Sequence, residues 1–268
     1  MIRRLQAIYA AQLTIQFKRF LHYRISLIFW IMSMMLSPII FISVWSAVDG
    51  SQGSVIDGFT RGDFAAYYIM VLFVNHITFA WTMMYWEFLI RNGYLSYLLL
   101  RPAHNFHEDI AENLIYKLVT LPFISLVAVV LILSFSPTFH TQGWQILAFI
   151  PGIVLAYILR FVFDLTVAML AFWVPDNEGI NAFYSFAITF LSGISAPLIL
   201  FPTWFQALAN FFPFRWTVEF PVLLSTGHLD SQQALAGILF QCIWIVIGVV
   251  LLSILWNKGL KRFSGVGL

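Results

Sequence analysis

Arg160 and Asp164 stand four residues apart in the run Leu159-Arg-Phe-Val-Phe-Asp164, which is otherwise apolar. At that spacing they share one helix face and can neutralise each other in part. A charge at the centre of a bilayer costs about 2.5 to 3.5 kcal/mol on insertion scales, so neither residue is expected to face lipid. Intramembrane charge marks a functional site by default, and a structural pair at a helix or subunit interface explains the two residues as well. Direct pairing predicts that reversing one charge impairs assembly and that swapping both partly restores it.

Other chemistries lack their residues. Ser192 and Ser195 flank Gly193, but His76 is the one histidine inside an apolar run, and no partner motif joins it to a serine nucleophile. His104 to Asp109 reads His-x-x-x-Glu-Asp, a spacing that matches no metal-ligand pattern, so no metal site is expected. Asp176 and Glu178 are the nearest thing to a carboxylate cluster at a membrane face. No Gly-x-x-x-x-Gly-Lys-Ser/Thr loop occurs, so the chain is expected to bind no ATP in that way and to be no enzyme. No cofactor and no nucleic acid is expected on it.

The elements that hold these residues are set by hydropathy. Of 268 residues, 61% are hydrophobic, 18% aromatic and 10% charged, against roughly 25% charged in an ordinary soluble domain. A helix needs about 20 apolar residues to cross about 30 Å of hydrocarbon. Six runs qualify: 25–48, 64–86, 118–135, 151–174, 182–200 and 237–256. Backbone groups in lipid must bond internally, so each is read as a helix. The expectation is an all-α integral membrane fold of six transmembrane helices in a single domain, residues 1–268. The first run is longer than a signal core and follows a helix-like segment, so it is read as retained. The one cysteine, Cys242, lies in an apolar run and reads as a small hydrophobe.

Lysine and arginine orient the spans. Arg3, Arg4, Lys18, Arg19, Arg24, Arg91, Arg101, Lys117, Lys258, Lys261 and Arg262 fall on one side of six crossings, and only Arg61 and Arg215 on the other. Positive residues mark the cytoplasm, which places both termini inside. Residues 1–24 carry Leu5, Ile8, Ala11 and Ile15 at helical spacing with basic residues elsewhere, the pattern of an interfacial helix that either anchors or gates.

Three caps set helix starts: Asn105 with Glu108, Thr203 with Gln206, and Asp230 with Gln233. The second of these opens a short helix from about Trp204 that must stop before Pro213. Between the second and third spans, residues 87–117 form a cytoplasmic segment. Its apolar piece Tyr94 to Leu100 is punctuated by Asn92-Gly93 and Pro102, with Arg91 and Arg101 at the ends. Such a piece docks into a partner's groove or rests on headgroups. The fifth span is interrupted by Gly193 and Pro197, and Pro202, Trp204 and Phe205 follow. Non-helical backbone at that depth needs protein or water around it, which predicts a re-entrant segment over 197–236 near the outer face, with an aromatic belt.

In this order the parts resemble the permease subunit of the second type of ABC exporter. The likeness covers the whole chain. Gly93-Tyr-Leu-Ser-Tyr-Leu-Leu-Leu-Arg-Pro102 is similar to the coupling-helix region of one bacterial subfamily. Ser192-Gly-Ile-Ser-Ala-Pro197 with Phe201-Pro-Thr-Trp204 resembles the family's fifth-span ending, and Gly259 to Gly267 its C-terminal tail.

The resemblance implies outward, ATP-driven movement of a hydrophobic or amphiphilic substrate across a bacterial inner membrane. It implies a second permease, the same or related, and separate ABC ATPase subunits that hold ATP and Mg. Gly93, Tyr94, Leu95, Leu98, Leu99, Arg101 and Pro102 would transmit nucleotide-driven closure. Gly193, Pro197, Pro202, Trp204 and Phe205 would form the outer gate. An ATP-independent secondary transporter would show related halves or several charges in its spans, and a membrane-embedded lipid-metabolising enzyme a polar catalytic cluster; these two are the alternatives.

Overall fold

The computed structural model describes residues 58–101, 106–174 and 177–264, with part of 9–44, where every described residue is helical. Among the described residues the regular elements are all helical. They are α1 (Arg61–Thr78), α2 (Thr82–Arg91), α3 (Leu95–Leu99), α4 (Phe106–Phe135), α5 (Gly143–Ala168), α6 (Glu178–Leu191), α7 (Thr203–Phe211), α8 (Glu219–Thr226) and α9 (Ser231–Arg262). A 3-10 turn, Met169–Phe172, extends α5.

Four helical stretches among the described residues are long and apolar enough to cross a membrane: Arg61–Arg91, Phe106–Phe135, Gly143–Phe172 and Ser231–Arg262. They carry the second, third, fourth and sixth expected spans. The first span and the interfacial helix fall largely outside the described residues, as do Pro102 and the Asn105 cap. The fifth span is shorter than expected, because α6 ends at Leu191 after 14 residues. At about 1.5 Å per residue that is roughly 21 Å, short of the hydrocarbon thickness.

The second span is interrupted. Phe79 takes extended backbone at the end of α1, and α2 starts only at Thr82, although no Gly or Pro stands at the junction. The cause is tertiary. The last carbonyls of a helix lack intrahelical partners, and here the Lys117 ammonium of α4 donates to the Phe79 carbonyl at 3.0 Å. Arg160 of α5 donates to Asn75 Oδ1 at 2.7 Å and to Thr78 Oγ1 at 3.1 Å, with its guanidinium over the Phe79 ring. Two cations from neighbouring helices therefore cap a negative helix end inside the bundle. Lys117, expected at the end of the cytoplasmic segment 87–117, is a residue of α4 whose ammonium reaches the end of α1.

Helix α9 packs along α5 and leaves most of its other faces exposed, with Leu239, Val246 and Val250 outward. At Gly237 a Cβ would lie 2.0 Å from the Phe220 ring, so hydrogen is the only side chain that lets α8 approach this closely. The Asp230–Gln233 capping box forms as expected. The one at Thr203 does not: α7 begins at Thr203, with Pro202 as its cap residue and no side-chain cap. Gln206 instead donates to the carbonyls of Ile199 and Phe201, which the preceding turn leaves open. The stop before Pro213 is as expected, since α7 ends at Phe211.

Candidate coupling segment, polar interior and the turn at Gly193

Gly93, at φ +73, ends α2 in a left-handed turn that glycine tolerates without strain, and α3 follows at once. The segment is two-faced. Leu95, fully buried, and Leu98 pack with Trp86, Leu89 and Ile90 of α2 and with Phe161, Leu165 and Phe172 in the C-terminal half of the fourth span. Tyr94, Tyr97 and Leu100 recur every third residue on the opposite face and are exposed, Leu100 by 86%. Leu99 is exposed beside them. Arg101 binds Glu108 at 2.5 Å and lies over the Tyr97 ring. The Tyr97 hydroxyl first, and then Glu108, push the Arg101 pKa above its ordinary value. Of the sequence-selected residues, Leu95 and Leu98 thus anchor the segment, while Tyr94, Leu99 and Arg101 are on its surface; Tyr97 and Leu100 complete the outer face.

Arg160 and Asp164 are both buried one turn apart in α5, yet each is hydrogen-bonded to a different helix. Arg160 caps α1 as described, and Asp164 Oδ1 accepts the Tyr184 hydroxyl of α6 at 2.8 Å. Among the described residues no ion pair joins the two directly. What looked like a self-contained pair is a junction of three helices. Around it, His76 Nε2 lies 2.8 Å from Thr120 Oγ1, and Lys117 sits over the Tyr157 ring. Trp86 Nε1 donates to Asp109 at 2.6 Å nearer the α3 end of the bundle. Asn75, Lys117 and Tyr184 were missed because a lone polar residue in an apolar run carries no sign of which helix it will meet.

The chain turns where α6 stops. Gly193 has φ +81, and an added Cβ would lie 2.5 Å from the Tyr67 hydroxyl and 2.9 Å from Glu219 Cβ. Much of the freed backbone is bonded. Tyr67 donates to the Gly193 carbonyl at 2.7 Å and Tyr68 to the Ser195 carbonyl at 2.8 Å. The Glu219 amide donates to the Ser192 carbonyl at 2.9 Å, and Glu219 Oε1 accepts from the Leu198 amide at 2.6 Å. Arg215 pairs with the same carboxylate at 2.8 Å. Irregular backbone survives in an apolar setting only when its polar groups are met in this way. Pro197 is buried in the turn, whereas Pro202 and Trp204 are exposed and Phe205 is half-buried against Phe201. The sequence marked the break through Gly193 and Pro197 but not Tyr67, Tyr68 and Glu219, which hold it.

Among the described residues no group of three or more His, Cys, Asp or Glu side chains could hold a metal ion. Residues 32–267 match the model of a family described as ABC-2 family transporter protein. No curated protein and no solved structure matches the chain.

Proposed function

We infer the function from the family: this chain belongs to the ABC-2 family of transporter proteins, and it is a membrane transport permease. In our reading it is the membrane-spanning subunit of an ATP-driven exporter. It has six spans with both termini in the cytoplasm of a bacterial inner membrane, works with a second permease, and takes its energy from separate ATPase subunits that bind ATP and Mg. The segment 197–236 is the re-entrant outer part, and its turn at Gly193 is the outer gate.

One observation supports the ATPase partner above the others. The α3 segment offers three exposed apolar side chains, Tyr94, Tyr97 and Leu100, on a piece anchored by Leu95 and Leu98 to the second and fourth spans. A short rigid helix with an apolar outer face and a basic end suits insertion into a protein groove. Its anchors then carry any displacement into two spans at once, which is what a coupling element must do.

The test is co-purification in mild detergent followed by ATPase assay. We expect an ATPase subunit to accompany the chain, and a Tyr94→Ala, Tyr97→Ala, Leu100→Ala variant to fold normally while losing permease-stimulated hydrolysis. Retention of full stimulation by that variant removes α3 from the mechanism. Absence of any ATPase in the purified complex favours an ATP-independent carrier.

A further inference from the structure

Two cavities flank the break in the second span. One, of ≈ 270 Å³, is lined by Asn75, Trp81, Met84, Arg160, Asp164 and Tyr184, among others. Its neighbour, of ≈ 260 Å³, shares Asn75, Phe79 and Ile194 with it and is lined also by His76. Each is lined by a residue that carries a buried nitrogen with no partner, Arg160 with its Nε in the first and His76 with its Nδ1 in the second. Arg160 is 5% exposed and His76 1%.

A guanidinium N–H left unpaired in the interior is costly, and buried polar groups are nearly always met. Within the chain Asn75 and Thr78 receive Arg160 Nη1, and Asp164 Oδ1 accepts from Tyr184, and none of these acceptors meets Arg160 Nε. What would complete Arg160 is an oxygen brought in from outside, and a charge-assisted bond to an anion is the strongest available. Lys117 adds a second cation at the same helix end, while Asp109, nearer the α3 end of the bundle, is occupied by Trp86. The cavity lies just under the usual ligand-site range of about 300 to 1,000 Å³, so it suits a headgroup rather than a whole amphiphile. The remaining walls, with Phe79, Met83, Ile188 and Ile194, suit the first methylenes of a tail.

We propose that this cavity recognises the anionic headgroup of an amphiphile, a phosphate or carboxylate oxygen accepting from Arg160. Binding stands on the cavity alone; the amphiphile's being cargo rests on the permease reading above. The same chemistry is offered by a bilayer phospholipid and by an exported amphiphile.

The probe is decyl phosphate, titrated by calorimetry onto the complex in an uncharged detergent, with decanol as comparator. We expect decyl phosphate to bind roughly tenfold or more tighter than decanol, as one charge-assisted hydrogen bond warrants. Arg160→Gln should lose that preference and Arg160→Lys keep part of it. Because Arg160 also caps α1, Ser185→Trp is the second variant. Ser185 lines the cavity and is exposed, so the ring fills the space while Arg160 and Asp164 are both kept, and the preference should again vanish. Equal binding of the two probes, or a preference unchanged in Ser185→Trp, overturns the proposal.

Two further readouts separate the sources. Loss of co-purifying phospholipid in Ser185→Trp identifies a resident lipid, whereas loss of ATP-dependent decyl phosphate movement in proteoliposomes identifies cargo. Absence of an ATPase partner with binding intact would sink the exporter reading and leave the cavity standing. ATP-driven transport with no anion preference would do the reverse.

Discussion

At the scale of single residues, the polar atoms of the interior are distributed between helices rather than within them, and this changes what substitution should do. Arg160 and Asp164 share a face of α5, but their hydrogen bonds run to α1 and α6 respectively. A charge swap would therefore place a carboxylate against Asn75 and the end of α1, where the helix dipole already disfavours negative charge. We expect the double swap to assemble no better than either single reversal, as judged by the monodisperse peak in mild detergent; substantial recovery would mean that direct pairing dominates after all. Gly193 is the second residue-scale case. Gly193→Ala meets two costs: the left-handed backbone, about 1 to 2 kcal/mol for a residue with a Cβ, and the overlap with the Tyr67 hydroxyl. Adding Tyr67→Phe removes the overlapping oxygen but also the hydrogen bond to the Gly193 carbonyl. The double variant should thus recover only part of the lost melting temperature, and full recovery would show that the backbone conformation itself carries no strain.

At the scale of elements, the α3 segment separates anchoring from docking, and the two roles can be told apart experimentally. Leu98→Asp puts a carboxylate among Trp86, Ile90 and Phe172, a burial expected to cost more than about 3 kcal/mol and to lower the yield of folded protein. Tyr97→Ala acts on an exposed ring and should leave the melting temperature within about a degree or two, as surface changes do, while reducing ATPase stimulation. If Leu98→Asp folds normally, the packing described for α3 is wrong. The same segment shows what sequence could deliver. Gly93, Pro102 and the apolar run between them marked a short element, but which leucines point inward depends on where α5 ends, and that is a long-range fact. Likewise the Asp230 cap was legible because it is local, satisfied within four residues. The interruption at Phe79 was not legible, because no helix breaker stands there and the break is held by Lys117 and Arg160 from other helices. Gly193 and Pro197 announced a break in the fifth span; its hydrogen-bond partners lie more than a hundred residues upstream, in Tyr67 and Tyr68.

For the whole molecule, the proposed arrangement turns on sidedness, and the structure alters the charge count on which sidedness was read. With Lys117 drawn into the bundle, ten of the eleven inner-side lysines and arginines remain, against Arg61 and Arg215 outside. Ten against two keeps the inward bias. The turn at Gly193 and the face of α3 then belong to opposite compartments, separated by the length of α1 and α2. Replacing Cys242 with alanine and introducing one cysteine at a time gives a direct readout. Thr203→Cys, exposed at the start of α7, should react with a membrane-impermeant maleimide in intact cells. Tyr94→Cys, exposed beside α3, should react only after the membrane is opened. Labelling of Tyr94→Cys from outside would place the α3 face away from cytoplasmic ATP, and no ATPase subunit could then dock there. The cavity at Arg160 would survive such an inversion, since its geometry depends on packing among α1, α5 and α6 and not on which side of the bilayer the cell places them.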